Sequence, residues 1–188
     1  MVLVDNHDSF TYNIAHALSG FGAHVDVIAV DDRRLSRRGF IRYNAVVVGP
    51  GPGAPAGNPT LTLAVSDALA TRMPVLGICL GMQAIAVAFG ARVLRAPQPV
   101  HGELAAIDHD GCGLFRGVPS PLRAVRYHSL CVAPSTLPDA LFACARSEDG
   151  VVQGIRHRDR PVYGLQFHPE SFLSEHAATL FRNFIERA

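Results

Sequence analysis

The stretch Pro74-Val-Leu-Gly-Ile-Cys-Leu-Gly-Met-Gln83 decides the fold of this chain. It begins as an apolar run and leads into a helix predicted over residues 82–89. Between the two lies Cys79, with Gly77 and Gly81 two positions away on either side. This spacing is typical of a sharp turn from a strand into a helix, with cysteine where hydrolases often carry serine. Glycine suits the flanking positions because side chains there would clash in the strained turn.

Two interpretations of Cys79 follow from this turn. The turn would lift the thiol out of the sheet and place it at a helix N-terminus, whose partial positive charge favours the nucleophilic thiolate. Cys79 is therefore a candidate nucleophile. Alternatively, it is an ordinary core residue, because free cysteines are usually buried. This stretch by itself does not decide between the two.

The composition bounds the class of protein. The chain has 188 residues, 48% of them hydrophobic, which is enough for one domain with a substantial core. We therefore predict a single domain over residues 1–188. The net charge of +1 provides no strong field for nucleic acid or for an anionic membrane, so we expect neither as a partner. No apolar run approaches the ~20 residues of a membrane span.

The four cysteines, Cys79, Cys112, Cys131 and Cys144, form no CxxC pair. Their spacing suits neither a zinc site nor a small disulfide framework. We therefore expect reduced thiols, a cytoplasmic location and no metal site.

The pattern of elements predicts an α/β fold. Apolar runs at 2–4, 23–30, 45–48 and 74–78 alternate with helical patterns up to residue 90, which predicts a mostly parallel central sheet flanked by helices on both faces. After residue 91 the chain reads as short strands joined by turns, an additional antiparallel portion. These strands are predicted over 93–94, 104–107, 122–127, 141–145, 151–156 and 162–167. A last amphipathic helix is predicted from about 172 to 187, with Phe172 and Leu173 in its apolar stripe.

The segment Gly49-Pro-Gly-Pro-Gly53 follows one of the buried strands. Open α/β sheets bind their ligands at the carboxyl ends of strands. Alternating glycine and proline fixes part of the backbone and frees the rest, so the loop can direct N–H groups at an anion. The alternative is a plain chain breaker before the helix predicted over 61–70.

A cysteine nucleophile needs a base, and the base needs an orienting group. His168 ends an apolar strand and is followed by Pro169 and Glu170. Residues two apart in an extended segment point the same way, so Glu170 can lie beside His168 and fix its tautomer. The alternative is an ordinary strand end with a helix cap at Ser171. Most of the other histidines lie in polar turns or on helix surfaces, where we expect them to be solvated.

Taken together, these motifs resemble those of class I (triad) glutamine amidotransferases. The motifs are the Gly-Pro-Gly loop, Gly77-Ile-Cys-Leu-Gly-Met-Gln83 and Gln166-Phe-His-Pro-Glu-Ser171, in that order. Three further stretches resemble the glutaminase components of anthranilate synthase and of aminodeoxychorismate synthase. These are Val4-Asp-Asn-His-Asp-Ser-Phe-Thr-Tyr-Asn13, Arg126-Tyr-His-Ser-Leu130 and Gly154-Ile-Arg-His-Arg158. The resemblance extends over essentially the whole chain.

The resemblance implies a mechanism and a set of site residues. Cys79 would attack the carboxamide of L-glutamine, His168 would transfer the proton, and Glu170 would hold the imidazole ring. A glutamyl thioester would form, and backbone N–H groups of Leu80 and the Gly51 region would hold the oxyanion. The family's glutamine-binding positions correspond to Gly51, Pro52, Gly53, Leu80, Gln83, Ser129 and Leu130. Without the family, Gln83 would be read as a solvent-facing helix residue.

The resemblance also implies a partner. In the family, ammonia passes to a chorismate-binding synthase, either a separate subunit or a fused domain, and chorismate and magnesium belong to that partner. We therefore expect no cofactor on this chain. One departure is Glu103, because the family more often has lysine or arginine after the preceding His-Gly, and this reversal leaves the partner's identity open. Alternatives are a glutaminase serving another ammonia-using synthase and a catalytically silent regulatory partner.

Overall fold

In a computed structural model that describes residues 1–188, the chain forms a nine-stranded sheet with five α-helices. The strands are β1 (Val2–Asp5), β2 (Asp26–Ala29), β3 (Val46–Val48), β4 (Val75–Ile78), β5 (Val93–His109), β6 (Leu122–Val132), β7 (Leu141–Ser147), β8 (Val152–His157) and β9 (Val162–Leu165). The helices are α1 (Thr11–Ser19), α2 (Arg37–Phe40), α3 (Pro59–Ala70), α4 (Leu80–Ala88) and α5 (Ala177–Ile185). The strand order is β2-β1-β3-β4-β9-β8-β7-β5-β6.

The half of the sheet from β2 to β9 is parallel. Parallel strands end at the same edge, so the segments that leave β1, β3, β4 and β9 meet there. Pairing of β4 with β9 sets Ile78 opposite Leu165, and the next residues on the two strands, Cys79 and Gln166, come together at that edge. The topology thus brings together motifs that are far apart in the sequence.

Helices cover both faces of the parallel half, as the sequence predicts. Successive side chains of a strand point to opposite faces, so Val2 and Val4 belong to one apolar cluster and Leu3 to the other. Side chains of α3 and α4 complete the first cluster, and side chains of α1 and α5 complete the second. Continuous apolar runs such as Val46–Val48 are needed because these strands are buried on both sides.

The antiparallel half, from β9 to β6, differs in detail from the prediction. Residues 93–109 form one long strand instead of two short ones. Its pairing with β6 shifts between Arg95 and Val100 and again between His101 and Glu103, and prolines 97 and 99 lie in the first of these irregularities. The sheet curls so that Val125 of β6 pairs with His168, just beyond the end of β9.

The last helix is shorter than predicted. It begins at Ala177, and Phe172 is 93% exposed instead of lying in a buried stripe. The reason is that Ser174 and Glu175 bond to β6. Ser174 Oγ accepts a hydrogen bond from the Val125 amide, and the Glu175 amide donates to the Arg123 carbonyl. These contacts replace the first turns of the expected helix, and a helix cap at Ser171 is therefore wrong.

Helix α4 begins immediately after Cys79, two residues before the predicted start, because the Cys79 carbonyl accepts the first helical hydrogen bond from the Gln83 amide.

None of the five helices has the length and apolar character needed to cross a membrane.

Candidate active site

Cys79 lies on the turn between β4 and α4, with φ 51° and ψ −105°, a conformation that non-glycine residues rarely adopt. The flanking glycines are required by close backbone contacts. A Cβ on Gly81 would lie 2.1 Å from the carbonyl oxygen of Val48, and a Cβ on Gly77 would lie 2.5 Å from the Gly81 backbone. The predicted strand–turn–helix arrangement is therefore present, and the Cys79 sulfur is held at the carboxyl edge of the sheet.

His168 and Glu170 meet as their spacing predicts. The Nδ1 atom of His168 lies 2.6 Å from Oε1 of Glu170, and both side chains are almost fully buried. The His168 amide donates to the Val125 carbonyl at 3.0 Å, which fixes the backbone at this point. The other ring nitrogen, Nε2, has no hydrogen-bond partner within the protein. His168 and Cys79 line the same cleft, and the unpaired Nε2 atom is itself buried.

Burial by itself lowers the pKa of the His168 imidazole. The nearby Cys79 sulfur and the Glu170 carboxylate act in the opposite direction, and together they raise this pKa to about 10. No hydrogen bond of good geometry joins Nε2 to the sulfur, so the influence of Cys79 rests on its closeness to the ring. The arrangement favours a positively charged ring at neutral pH.

A cavity of about 200 Å³ opens beside Cys79. It is smaller than the ~300–1,000 Å³ of pockets for drug-sized ligands, so it suits a small metabolite. All seven residues that the resemblance assigned to glutamine binding line it, namely Gly51, Pro52, Gly53, Leu80, Gln83, Ser129 and Leu130. Tyr127 and His128 complete the lining. The Gly-Pro loop is held in place by Asn6, whose Nδ2 donates to the Gly49 carbonyl at 2.8 Å.

A second, wider cleft of about 440 Å³ opens on the other side of Cys79. His168, Phe10, Tyr127 and His101 line it together with the loop that follows β1. The rings of Phe10 and Tyr127 both lie within 5.5 Å of the His168 ring, measured between centroids. Cys79 therefore borders two openings. Gly51 and Pro52 line both of them, and His168 lines only the wider one.

Gln83 is buried, so the solvent-facing alternative for this residue is wrong. Its Nε2 donates to the Leu130 carbonyl at 3.3 Å and to Oε1 of Gln166 at 3.1 Å. Gln166 is fully buried, and its own Nε2 lies 3.5 Å from the Cys79 sulfur. Gln166 was not among the site residues predicted from the sequence. Its position two residues before His168, on the same side of an extended segment, is the signal that could have identified it.

A buried polar network supports the strand that lines the cavity. Arg126 forms an ion pair with Asp149 at 2.7 Å, and Ser147 joins both side chains. Gln153 connects Ser147 to His128, with 3.3 Å between Gln153 Nε2 and His128 Nε2. Burial and the nearby Arg126 lower the pKa of His128 to about 4, so its ring is neutral at physiological pH. Residues 126–130 were predicted as a motif, but no role was assigned to Arg126 or His128.

The other cysteines lie outside this site. All four cysteines are unpaired, and burial raises the pKa of the Cys144 thiol to about 12. No three His, Cys, Asp or Glu side chains converge in a way that could hold a metal ion. Glu103, the departure in the sequence, is exposed and lies opposite Arg126 in the β5–β6 register, close to the strand that lines the cavity.

A match to a known family covers nearly the whole chain. The family model described as glutamine amidotransferase class-I matches residues 2–188. The chain belongs to the class-I glutamine amidotransferase family.

Relatives of this amidotransferase occur both as separate components and within longer chains. It is 43% identical to anthranilate synthase component 2 of Azospirillum brasilense over 98% of this chain and 94% of that protein. It is 49% identical to aminodeoxychorismate synthase of Streptomyces griseus over 97% of this chain, but it spans only 25% of the length of that relative. Among solved structures, a protein from Thermoplasma acidophilum that is provisionally assigned to GMP synthase superposes with a TM-score of 0.89 at 29% identity, covering 98% of this chain and 91% of the other.

Proposed function

We propose that residues 1–188 form a glutaminase domain that hydrolyses L-glutamine and supplies ammonia to a chorismate-aminating synthase. The observation that carries the proposal is the 2.6 Å contact between His168 and Glu170 beside a cysteine held on a strand–helix turn. Cys79, His168 and Glu170 then act as nucleophile, base and orienting carboxylate. Family membership and the names of relatives at 43–49% identity support this function.

In the first half of the reaction, His168 takes the proton of the Cys79 thiol, and the resulting thiolate attacks the carboxamide carbon of glutamine. A carbon–sulfur bond forms, and the electrons of the carbonyl double bond move to oxygen. The Leu80 amide lies in the first turn of α4, where no intrahelical acceptor is available, so it can donate to this oxyanion. An amide from the Gly51 region is the proposed second donor. One such donor is worth about 10²–10³-fold in rate.

Collapse of the tetrahedral intermediate releases ammonia. The proton for the departing nitrogen comes from His168, whose raised pKa keeps the ring protonated at neutral pH. Glu170 keeps Nδ1 paired, so Nε2 is the nitrogen that gives up the proton. Water then attacks the glutamyl thioester with His168 as the base, the carbon–sulfur bond breaks, and glutamate leaves.

Glutamine is proposed to occupy the 200 Å³ cavity, next to the Gly-Pro loop and the strand at Ser129 and Leu130. We propose a partner that binds chorismate, present either as a separate subunit or as part of one polypeptide with this domain. Relatives of both kinds support these two arrangements. A cytoplasmic location fits reduced thiols and this metabolic role.

The proposal is tested by measuring glutamate release from glutamine with and without a chorismate-aminating synthase, and by identifying the aromatic product. We expect glutamate release to rise when the synthase is present and an aminated chorismate derivative to form. A glutamine analogue that carries an alkylating group should label Cys79 in the complex. Failure to label Cys79 with the synthase bound would contradict the proposal.

A second candidate is a glutaminase that serves a different ammonia-using synthase. The similarity to the Thermoplasma acidophilum structure favours it, although at lower identity than the relatives named above. Incubation with each synthase in turn separates the two candidates, since only the true partner should stimulate glutamate release. A catalytically silent, regulatory role predicts no stimulation by any partner.

A further inference from the structure

Three side chains of the segment that follows β9 belong to the site around Cys79. Gln166, His168 and Glu170 lie at alternate positions of a segment that bends at residues 166–167 and turns at residues 169–170. His168 and Gln166 both approach Cys79, and Glu170 supports His168 from behind. We propose that Gln166 is a further catalytic residue, whose side-chain amide donates a hydrogen bond to the Cys79 sulfur and favours its ionised form. This inference rests on Cys79 being the nucleophile.

The orientation of the Gln166 amide follows from its neighbours. The Leu130 carbonyl can only accept a hydrogen bond, so the Gln83 group that faces it at 3.3 Å is the NH₂. The same NH₂ faces Gln166 at 3.1 Å, which requires the Gln166 oxygen on that side. The Gln166 NH₂ must then point toward the sulfur. A backbone carbonyl therefore fixes the direction of the whole chain of hydrogen bonds.

Burial strengthens the hydrogen bond between the Gln166 amide and the Cys79 sulfur. Gln166 has no exposed surface, and the Cys79 sulfur is largely covered as well. A buried amide without partners is costly, and hydrogen bonds are electrostatically stronger away from water. The N–S distance of 3.5 Å suits an acceptor as large as sulfur. Because the Gln166 backbone amide also donates to the Gln153 carbonyl at 2.9 Å, the residue is anchored at both its backbone and its side chain.

Gln166 and His168 have different chemical capacities. His168 can transfer a proton, whereas an amide does not titrate and can only donate its hydrogen bond at every pH. Gln166 can therefore stabilise negative charge on sulfur while His168 carries the proton to the leaving group. Gln83 is in this scheme a positioning residue, since it acts on the sulfur through the Gln166 amide.

The test is the pH dependence of Cys79 alkylation by iodoacetamide in the full chain, followed by peptide mass spectrometry. Gln166→Met replaces the donor with an apolar side chain of similar length, and Gln166→Leu replaces it with a shorter, branched apolar side chain. A hydrogen bond to a charged group is strong enough to move the midpoint of the alkylation profile upward by about one pH unit. At a pH below the midpoint, Cys79 should then react about tenfold more slowly.

Two controls separate a local effect from a general disturbance. The exposed thiol of Cys112 reports reagent activity within the same sample. Asn183→Leu alters another buried amide, whose Nδ2 donates to the Leu114 and Arg116 carbonyls and not to Cys79, and it should leave the Cys79 midpoint where it is. If the Gln166 variants do not fold, Gln83→Leu removes the orienting donor and should shift the midpoint in the same direction by less.

The outcomes distinguish this inference from the proposed function. If Cys79 in the wild-type chain reacts with the profile of Cys112 and glutamine is not hydrolysed even with the synthase bound, the proposed function fails. If wild-type Cys79 reacts and turns over glutamine but the folded Gln166 variants keep its midpoint, the proposed function stands and the role of Gln166 is wrong.

Discussion

The Nδ1 atom of His168 is paired with the carboxylate of Glu170 at 2.6 Å, and only Pro169 separates the two residues in the chain. Because the two residues are so close in the chain, a contact between them needs no long-range assembly. What the tertiary structure adds is burial, which removes competing water, and the bond from the His168 amide to β6, which fixes where the ring points. The Glu170 contact and the bond to β6 therefore fix the orientation of the His168 ring beside Cys79.

Glu170→Gln should reduce glutaminase activity by about tenfold to a hundredfold, because the amide oxygen can still accept from Nδ1 but the negative charge is lost. Loss of that charge lowers the pKa of His168, which Glu170 helps to raise. The alkaline limb of the profile of kcat/KM against pH should consequently move to lower pH in the variant. The measurement is glutamate release across pH with the synthase present, and an unchanged alkaline limb would contradict the assigned role of Glu170.

Cys79→Ala should lower glutamate release by at least about 10⁴-fold, since no other group nearby can form the thioester. Cys131→Ala is the matched control, because Cys131 is also a buried thiol but does not line the cavity. The control should retain glutaminase activity. Both variants are compared under saturating glutamine with the synthase bound, and residual turnover in the Cys79 variant comparable to that of the control would exclude Cys79 as the nucleophile.

Gly81→Ala should destabilise the fold by at least about 1–3 kcal/mol. The added Cβ would lie 2.1 Å from the Val48 carbonyl oxygen, and neither main-chain segment can move away easily. Gly57→Ala serves as the comparison, since a carbon added at Gly57 meets no atom within 4 Å. That variant should stay within about 0.5 kcal/mol of the wild type. Urea unfolding followed by circular dichroism measures both, and equal midpoints for the two variants would rule out the close approach at Gly81.

His128 should make the protein less stable in acid. Burial and Arg126 hold its folded-state pKa at about 4, whereas the ordinary value is about 6.5. Between these two pH values the unfolded chain binds a proton that the folded chain does not. The free energy of unfolding therefore falls as the pH drops through this window, by up to about 1.4 kcal/mol per pH unit from this group.

The variant His128→Gln removes this titration and should lose less stability than the wild type between pH 6.5 and pH 4. The control is His16→Gln, the same substitution at an exposed histidine. Urea unfolding at several pH values gives the comparison. Parallel curves for the His128 variant and the wild type would show that protonation of His128 does not oppose folding.

The parts of the site that the sequence predicts are those encoded by short-range geometry. The spacing of Gly77, Cys79 and Gly81 predicts the turn, and the alternation from His168 to Glu170 predicts their contact. The approach of Gln83 to Gln166 spans 83 residues and exists only because β4 pairs with β9. No local pattern around Gln83 could have shown that its side chain points inward.

The error in the last helix has the same cause. The apolar pattern from residue 172 onward is compatible with a helix, but the backbone of that segment finds partners on β6 instead. Competition between local propensity and a distant strand cannot be read from the segment alone. The family resemblance, in contrast, identified the lining of the cavity because it combines several distant motifs at once.

The backbone at Cys79, with φ 51° and ψ −105°, costs about 1–3 kcal/mol that glycine at this position would not incur. The cysteine is thus retained against the conformational preference of its own main chain. Glycine at residue 79 would relieve this strain, but it would also remove a buried side chain and, in the proposed reaction, the nucleophile. In the proposed reaction, activity and backbone preference are therefore opposed at this single position.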